Sequence, residues 1–422
     1  MSEPTPRQLP CLIEAFLEYT DALPSPYIFR KWAALALVAG AVTRKVWLKA
    51  SDSTLFPNQL IVLIAPPGVG KGMAIWEVQD LWASTGKFNL APMSLTRAGF
   101  EDALGDRPQI VEIDKVPKTL NCLVAAIPEF GTLFSSHDLE FFNKVNDIYD
   151  CRSIYSYRTR GGGEVNVANP YFHMIAGTQP GFLGELLPET AFKMGFTSRL
   201  LLIFGAEKRV VTIFGKPGKD KKLKQAIVSD LQHLADLTGG MRVEDDAVKA
   251  IEAWHARPEP IPDHNRLQNY NPRRIIHVLK MTMALSIARR SDLIIKLRDF
   301  EEAKEMLLYA EAMMPEIFKD MSSQSDSQFI GEAFNYVWKV YAARKKPVLE
   351  QNLVAFVHGL VPVQKVEYII EALFKSGMVE QAEGLFLPVG QRRIVPRSKS
   401  LHGQMEYAEE APAVNIVLGD KK

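Results

Sequence analysis

The sequence predicts an α/β protein with a mostly parallel sheet, and three observations support this fold class. Short apolar runs typical of buried strands alternate with helix-forming runs between residues 58 and 207. One strand, at 60–64, leads through a Pro- and Gly-rich loop into a helix-forming run that starts at Met73. The 422 residues are 47% hydrophobic and 23% charged, which is typical of a globular protein.

The N-terminal residues 1–57 are predicted to form a helical segment in front of this domain. Helical runs at 12–19 and 27–43 precede a short strand at 45–48. The smooth apolar run at 32–42 is about half as long as a membrane span, so we expect a buried helix there. No apolar stretch follows a basic start, as it would in a secretory signal, and we therefore expect a cytoplasmic protein.

Residues 58–214 are predicted to form the α/β domain, because strand and helix patterns alternate along them. Runs of β-type apolar residues mark the strands, and longer amphipathic runs mark the helices. The predicted strands are 60–64, 109–113, 122–127, 171–176 and 199–204, with helices from residue 73 and around 139–149.

The pattern changes after the basic, glycine-containing stretch at 215–222. Only helical patterns follow, and residues 215–320 are predicted to form a helical lid domain. The polar residues 321–327 are predicted to form a linker. Residues 328–390 then follow the order of a winged helix, and residues 391–422 are predicted to be a flexible tail. The winged-helix elements are helices at 330–343, 350–358 and 363–376 and strands at 378–380 and 385–388.

Charge and cysteine content narrow the classes of function. The chain has 50 Lys and Arg residues against 49 Asp and Glu residues, a net charge of +1. Any nucleic-acid contact must then come from a local basic patch. The cysteines Cys11, Cys122 and Cys151 have no paired spacing, so neither a disulfide framework nor a cysteine metal site is expected.

The most informative stretch is residues 65–72, which read Ala-Pro-Pro-Gly-Val-Gly-Lys-Gly between a strand and a helix. Phosphates are bound by backbone N–H groups at a helix N-terminus, which requires glycines, and by a lysine on the β and γ oxygens. The alternative is a Pro-Gly turn that merely starts a helix. The predicted nucleotide-binding residues of the loop are Pro67, Gly68, Val69, Gly70, Lys71, Gly72 and Met73.

Two positions depart from the usual loop pattern G-x-x-x-x-G-K-[ST]. Ala65 replaces the first glycine, which is a mild change if its φ is negative. Gly72 replaces the Ser or Thr whose hydroxyl normally contacts Mg²⁺. We therefore expect ATP and Mg²⁺ as cofactors, with the ion bound mainly through phosphates and water and no dedicated protein metal site.

Polar residues at strand ends are the candidates for catalysis. Glu129 follows an apolar strand and is the candidate base that polarises the attacking water. Pro128 stands where a second acidic residue usually anchors Mg²⁺. Thr178 and Gln179 end a later strand and are candidates to sense the γ-phosphate. A solvent-facing Glu and a strand that simply runs into a turn are the alternatives.

Three arginines are candidates to neutralise charge on the phosphates. Arg199 begins a strand, and a guanidinium at a domain edge usually acts on the nucleotide of a neighbouring subunit. Arg273 and Arg274 begin an amphipathic helix. In one interpretation, the N-terminal end of this helix faces the phosphates. The alternative is that these arginines are only solvated.

A predicted β-hairpin at 155–167 is the candidate DNA contact. Alternating residues flank a Gly-Gly-Gly turn at 161–163. Cations would bind phosphates and tyrosines would stack on unpaired bases. A surface hairpin with solvated basic residues is the alternative. The candidate DNA-binding residues are Arg152, Tyr155, Tyr157, Arg158 and Arg160.

Taken in order, these motifs make the chain similar to a known family. It resembles the AAA+ ATPase modules of phage and mobile-element replication proteins, the helicase half of primase-helicases, and more distantly minichromosome-maintenance helicases. The resemblance runs from about residue 13 to residue 318. Its motifs are Pro57-Asn58, the loop at 65–72, Pro128-Glu129-Phe130-Gly131, Tyr149-Asp150, Asn169-Pro170, Gly177-Thr178-Gln179-Pro180, Gly195-Phe196-Thr197-Ser198-Arg199 and Arg273-Arg274.

The resemblance implies a role for each candidate residue. Such modules work as ring-shaped hexamers, and in ring helicases a hairpin at this point of the chain projects into the central channel. The implied roles are Walker A lysine for Lys71, Walker B glutamate for Glu129, sensor 1 for Thr178 or Gln179, arginine finger for Arg199 and sensor 2 for Arg273 or Arg274.

The predicted winged helix gives weaker support for DNA binding. Its third helix carries Lys365 and Lys375 against Glu367 and Glu371, which is poor for groove recognition. Winged helices also act as protein docking modules. A separate primase or another replication protein is therefore an expected partner of this domain.

The leading expectation is an ATP-dependent, ring-forming DNA helicase or translocase for replication of a phage or mobile element, without its own primase domain. Single-stranded DNA in the channel and a homohexamer are the expected partners, with no membrane. The alternative is an ATP-dependent loader or initiator switch with slow or no hydrolysis, which Gly72 and Pro128 favour. A small-molecule kinase shares the loop but has no evident use for the hairpin.

Overall fold

The computed structural model describes residues 6–113, 115–134, 138–159, 163–187, 189–212, 214, 220–361, 363–382 and 384–388. The chain divides into two compact units, residues 1–321 and 322–422. The first unit therefore holds the residues of all three segments predicted before the linker. No helix of the described residues combines the length and apolar composition that a membrane crossing requires.

Helices and strands alternate along the described part of the chain. The helices are α1 (Leu12–Tyr19), α2 (Tyr27–Val42), α3 (Lys71–Thr85), α4 (Arg97–Gly105), α5 (Leu139–Tyr149), α6 (Pro180–Leu186), α7 (Glu189–Lys193), α8 (Lys221–Asp236), α9 (Asp245–Ala256), α10 (Arg274–Arg289), α11 (Leu297–Arg344), α12 (Glu350–His358) and α13 (Val363–Lys375). The strands are β1 (Val46–Ala50), β2 (Ser53–Leu55), β3 (Leu60–Ile64), β4 (Gln109–Ile113), β5 (Val116–Ile127), β6 (Ile154–Thr159), β7 (Gly163–Ala168), β8 (Pro170–Thr178), β9 (Leu200–Phe204), β10 (Gly239–Val243), β11 (Ile294–Ile295), β12 (Val348–Leu349), β13 (Val379–Ala382) and β14 (Leu385–Pro388).

The central sheet of the first unit has the order β4-β5-β8-β3-β9. Its strands β5, β8, β3 and β9 are parallel to one another, and β4 is antiparallel to β5. Every residue of β3, β8 and β9 is buried, as expected for parallel strands with both faces covered. The prediction of an α/β protein with parallel strands is confirmed.

Strand β5 begins six residues earlier than the apolar pattern predicts. Residues 116–120 pair with β4 in a hairpin, and the first four of them are exposed. Exposed hairpin residues need no apolar side chains, so this extension left no hydrophobic signal in the sequence.

A second sheet, β11-β10-β1-β2, joins the N-terminal segment to the predicted lid. Val46 of β1 pairs in parallel with Gly239 of β10. The expectation of helices alone after residue 222 is therefore wrong at β10 and β11. Strand β10 contains two glycines, and β11 has two residues, so neither gives a clear strand pattern.

Helix α2 is buried along most of its length, as the apolar run at 32–42 predicts. It packs against α1, α3, α8 and α10 and also against β8 of the central sheet. The N-terminal helices and the helices between residues 221 and 318 thus share one hydrophobic core with the sheet. This packing places the chain before α2 beside the loop that follows β3.

The second unit has its own core of helices and an antiparallel sheet, β12-β14-β13. Helices α12 and α13 and strands β13 and β14 lie within two residues of their predicted bounds, and β12 is additional. The helix predicted at 330–343 is the C-terminal part of α11, which begins much earlier, at Leu297. The boundary between the two units falls within the predicted linker at 321–327, but these residues are helical within α11. The predicted tail, 391–422, lies outside the described residues.

Candidate nucleotide-binding site

The loop after β3 has the backbone that its glycines predict. Gly68 and Gly70 have φ values of 77° and 94°, a region that disfavours other residues. A methyl group on Gly70 would also lie 2.1 Å from the carbonyl oxygen of Pro24. Because α3 begins at Lys71, its free N–H groups face this loop, as an anion site requires.

Lys71 lies folded into this loop. Its side chain is buried, and its ammonium group donates a 3.4 Å hydrogen bond to the carbonyl oxygen of Ala65. Burial lowers the pKa of Lys71, and the nearby charge of Glu129 raises it. The ammonium group therefore lies within electrostatic reach of the predicted base and has a single long hydrogen bond to exchange for a phosphate.

The other predicted loop residues divide by exposure. Val69 is buried beneath the loop, whereas Pro67 and Met73 are exposed on its outside. Backbone groups rather than these side chains are thus positioned to contact an anion.

The ends of β5 and β8 lie beside the loop. Ile127 pairs with Ala176, so Glu129 and Thr178 follow at the same level. The carbonyl oxygen of Thr178 accepts a 3.2 Å hydrogen bond from the N–H of Ala65. The structure therefore brings Lys71, Glu129 and Thr178 together at the carboxyl edge of the sheet.

Of the two candidate sensors, Gln179 is the more accessible. The Thr178 hydroxyl is buried and lies 3.4 Å from the carbonyl oxygen of Gln179. The side chain of Gln179 is half-buried at the start of α6. Either side chain remains a candidate, but Gln179 needs less rearrangement to reach a ligand.

Gly72 and Pro128, which replace the two residues that usually contact or anchor Mg²⁺, are neighbours in space. A methyl group on Gly72 would lie 4.0 Å from Cβ of Pro128, an ordinary contact distance. Among the described residues, no group of three or more His, Cys, Asp or Glu side chains is arranged to hold a metal ion. The residues here fit a phosphate chain, and the only carboxylate among them is that of Glu129.

Sequence reasoning missed Lys208. Its ammonium group lies 3.7 Å from the position of a methyl group on Gly68, so it adds a cation beside the loop. Arg209 next to it forms a 3.0 Å ion pair with Asp21. The only signal for Lys208 is its place four residues beyond β9, whose carboxyl end lies next to that of β3.

The sequence also did not predict that the N-terminal segment contacts the glycine loop. The backbone of Pro24 and Ser25 lies against Gly70, and the buried Ser25 hydroxyl has no hydrogen-bond partner among the described residues. Gly70 lies 45 residues after Ser25 in the chain, so nothing in the local sequence pattern predicts this contact.

Arg199 lies at the opposite, amino edge of the sheet. It precedes Leu200, which pairs with Leu60 at the start of β3, whereas the loop follows the end of that strand. At about 3.3 Å per residue, roughly 16 Å or more separates Arg199 from the loop of its own chain. Arg199 therefore cannot contact a nucleotide bound there.

Asp150 holds Arg199 and Arg273 together at this amino edge. The Nη2 and Nε atoms of Arg199 donate hydrogen bonds of 2.7 and 3.3 Å to the Asp150 carboxylate. Arg273 Nη1 lies 3.5 Å from the same carboxylate. The side chain of Arg273 is 25% exposed and that of Arg199 only 10%, so Arg273 is the more available cation.

Buried hydrogen bonds fix the backbone that carries this arginine–aspartate cluster. Lys280 Nζ donates a 2.5 Å hydrogen bond to Asn58, whose amide donates to the carbonyl oxygen of Tyr149. Burial lowers the pKa of Lys280 to about 8. His277 hydrogen-bonds the carbonyl oxygen of Ser198 at 2.8 Å. The backbone on both sides of the cluster is thus fixed by side chains from α10 and by Asn58, which precedes β3.

Arg274 is not available to a nucleotide in this structure, which corrects its candidate role. Its guanidinium donates hydrogen bonds of 2.8 and 2.7 Å to Glu311, and both side chains are 3% exposed. A third bond goes to the carbonyl oxygen of Glu259. Tyr270 also donates to Glu311, so Arg274 is part of a buried structural network.

The predicted hairpin is present as β6 and β7, with Tyr157 paired to Val165. Tyr155 is buried, and its hydroxyl donates a 3.2 Å hydrogen bond to Glu101, so it is not free to stack on a base. Burial raises the pKa of Tyr155. Tyr157 is half-buried beside it, and Arg152 is exposed at the base of the hairpin.

The rest of the predicted DNA contact cannot be placed. Arg160 and the turn beside it lie outside the described residues, as does the side chain of Arg158.

Comparison with protein-family models gives no match, and comparison with curated proteins gives none either.

Proposed function

We propose that this chain is an AAA+-type ATPase that assembles into a ring and translocates along DNA. The observation that carries the proposal is the loop at the carboxyl edge of the sheet. There Lys71 lies on a glycine loop at a helix N-terminus, within electrostatic reach of Glu129. A loop that only starts a helix has no use for a buried lysine in this position.

In the proposed mechanism, backbone N–H groups of the loop and of α3 bind the β and γ phosphates. Lys71 exchanges its weak bond to Ala65 for a phosphate oxygen and neutralises its charge. Glu129 orients a water molecule and accepts its proton during attack on the γ-phosphate. Mg²⁺ brought with the nucleotide would be held mainly by phosphates and water and would supply further neutralisation of phosphate charge.

The arginine cluster supports a site shared between subunits. Because Arg199 and Arg273 lie at the edge opposite to the loop, they serve a nucleotide only if a neighbouring subunit supplies it. Such a head-to-tail contact repeats around a closed ring. In the proposed ring, Arg273 reaches the γ-phosphate of the neighbour and Arg199 holds Asp150 in place.

DNA is the proposed polymer. Arg152 is exposed just before the β6–β7 hairpin and Tyr157 lies half-buried on β6, and cations with aromatic rings suit single-stranded DNA. The second unit has the helix and strand order of a winged helix, which we propose as its fold. Replication of a phage or mobile element is the proposed setting, on resemblance alone.

A second candidate function is an ATP-dependent loader or initiator switch that hydrolyses slowly. The adjacency of Gly72 and Pro128 favours this function, because these residues replace both the hydroxyl and the carboxylate that usually hold Mg²⁺. In this version, ATP binding changes the assembly, and hydrolysis only resets it.

Steady-state ATPase with and without single-stranded DNA tests the proposal. We expect DNA to stimulate the wild type, and Lys71→Ala and Glu129→Gln each to lower the rate by about 100-fold or more. Lys249→Ala removes an exposed lysine on α9 and should leave the rate unchanged. A wild-type rate equal to that of Lys71→Ala would overturn the proposed ATPase activity. A rate that DNA leaves unchanged would favour the loader or initiator switch.

A further inference from the structure

The second unit contains a groove between α12 and α13 that is lined by apolar and acidic side chains. It encloses about 450 Å³. Three of its lining residues expose large apolar side chains, at 64% for Val363, 45% for Phe374 and 38% for Val354. Val366 and Ile370 complete the apolar surface. Exposed apolar side chains gathered in one groove are typical of a binding surface.

Carboxylates accompany these apolar side chains. Glu350, Glu367 and Glu371 line the groove, and lysine and arginine are absent from its lining. Lys375 lies 2.7 Å from Glu371, but both side chains are more than half exposed, so this pair is weak. The groove therefore presents negative charge together with apolar side chains.

This charge argues against DNA as the occupant. Glu367 and Glu371 lie on α13, the helix that would enter a DNA groove in a winged helix. Phosphates would be repelled by them, whereas an occupant with cations around apolar side chains would be attracted.

We propose that the groove binds residues 391–399 of the same chain. This segment reads Gln-Arg-Arg-Ile-Val-Pro-Arg-Ser-Lys, and it lies outside the described residues. It carries four cations, no acidic residue and the branched apolar pair Ile394 and Val395. Charge and apolar character are thus both complementary to the groove.

The segment starts close enough to the groove to reach it. Pro388 at the end of β14 pairs with Val379, which follows the C-terminal end of α13. The described chain therefore ends near Phe374, at one end of the groove. Ten residues span up to about 33 Å, whereas the 13 residues of α13 extend about 20 Å. The segment is long enough to follow the groove along α13.

Docking of this segment would cover the exposed face of α13. Any partner with a basic and apolar peptide would then have to displace it. The proposal is independent of the proposed ATPase, because all its residues lie in the second unit.

A fluorescent peptide of residues 389–402 tests the proposal by polarisation. We expect it to bind a chain that ends at residue 388 at least about tenfold more tightly than the full chain, whose groove is already filled. Glu367→Gln combined with Glu371→Gln should weaken peptide binding about tenfold. Asn335→Lys with Asn352→Lys changes the charge equally at exposed positions outside the groove lining and should cost much less.

Trypsin digestion of the full chain gives an independent readout. Cleavage after Arg392, Arg393 and Arg397 should be several-fold slower in the wild type than in the double Gln variant, because docking protects the segment. Equal cleavage rates, or a peptide that binds both charge variants alike, would overturn the proposal. The groove would instead be assigned to a second copy of the chain by a different result. In that case the shortened chain would self-associate without binding the peptide, and the two Gln substitutions would abolish the self-association.

Discussion

At the residue scale, the proposed phosphate-binding loop has a neighbour, Lys208, from a distant part of the chain. The loop at 65–72 is a local pattern whose chemistry depends on neighbours in the chain. Lys208 is more than 130 residues further along the chain, and its place beside Gly68 follows from the pairing of β9 with β3. The local pattern therefore predicted the glycine loop and its backbone, whereas the position of Lys208 beside it depends on tertiary structure.

The arginines likewise combine a predictable residue type with ion-pair partners that the local sequence does not predict. Their residue type suggested roles on phosphate, but their partners lie far away in the chain. Asp150 is 49 residues from Arg199, and Glu311 is 37 residues from Arg274. Only these partners show that Arg274 is structural while Arg273 stays partly exposed.

Substitution at Gly72 tests how the missing hydroxyl limits turnover. Gly72→Ser places a hydroxyl at the usual Mg²⁺ position, and a side chain fits because its Cβ would lie 4.0 Å from Pro128. We expect the Mg²⁺ concentration for half-maximal ATPase to fall about tenfold. Gly72→Ala is the control for added bulk. Identical Mg²⁺ dependence in Gly72→Ser and Gly72→Ala would contradict this account.

At the scale of whole elements, the apolar strands and helices of the sheet were predictable and the polar ones were not. Strands β3, β8 and β9 are apolar on both faces, so their sequences identify them. The exposed start of β5 and the glycine-containing β10 carry no such signal. The parallel pairing of β1 with β10 joins distant parts of the chain, and no pattern in either strand predicts it.

Arg274, in the first turn of α10, is buried in an ion pair, whereas Arg273, just before the helix, is partly exposed and has a proposed role on the nucleotide. Arg274→Ala leaves Glu311 buried without its ionic partner, which we expect to cost about 3–5 kcal/mol of unfolding free energy. Arg273→Ala removes one 3.5 Å contact of a partly exposed side chain and should barely change stability. It should instead lower ATPase by about 100-fold or more. Urea unfolding and ATPase of both variants test this, and equal loss of stability would refute the division.

Helix α10 and strand β8 also make stability depend on pH. Burial lowers the pKa of His277 to about 4 and that of His173 to about 3. Lys280, Arg273 and Arg199 near His277 lower its pKa further. The unfolded chain therefore binds more protons than the folded chain below pH 6.5, the ordinary histidine value. Stability is fully present above that pH and falls as the pH drops toward 4.

His277→Gln isolates the contribution of one histidine. Glutamine can still donate to the carbonyl oxygen of Ser198 but does not titrate. We expect the wild type to lose more unfolding free energy than the variant between pH 7 and pH 5, by on the order of 1–2 kcal/mol. Denaturant unfolding at the two pH values measures this difference. Parallel losses in both proteins would show that His277 does not contribute.

At the scale of the whole molecule, the proposed chemistry is divided between two opposite edges of one sheet. The carboxyl edge carries the loop with Lys71 and Glu129, and the amino edge carries Arg199 and Arg273 on Asp150. Neither edge completes a hydrolytic site by itself. The proposed assembly joins the amino edge of one subunit to the carboxyl edge of the next, so activity requires two chains.

ATPase of mixed variants tests whether the proposed site is shared between two subunits. Lys71→Ala and Arg273→Ala should each be inactive alone. An equimolar mixture, assembled together, should recover up to about a quarter of the wild-type rate, because a quarter of random interfaces pair an intact loop with an intact arginine. Activity no greater than the sum of the two separate variants, in a mixture shown to assemble, would contradict a site built from two subunits.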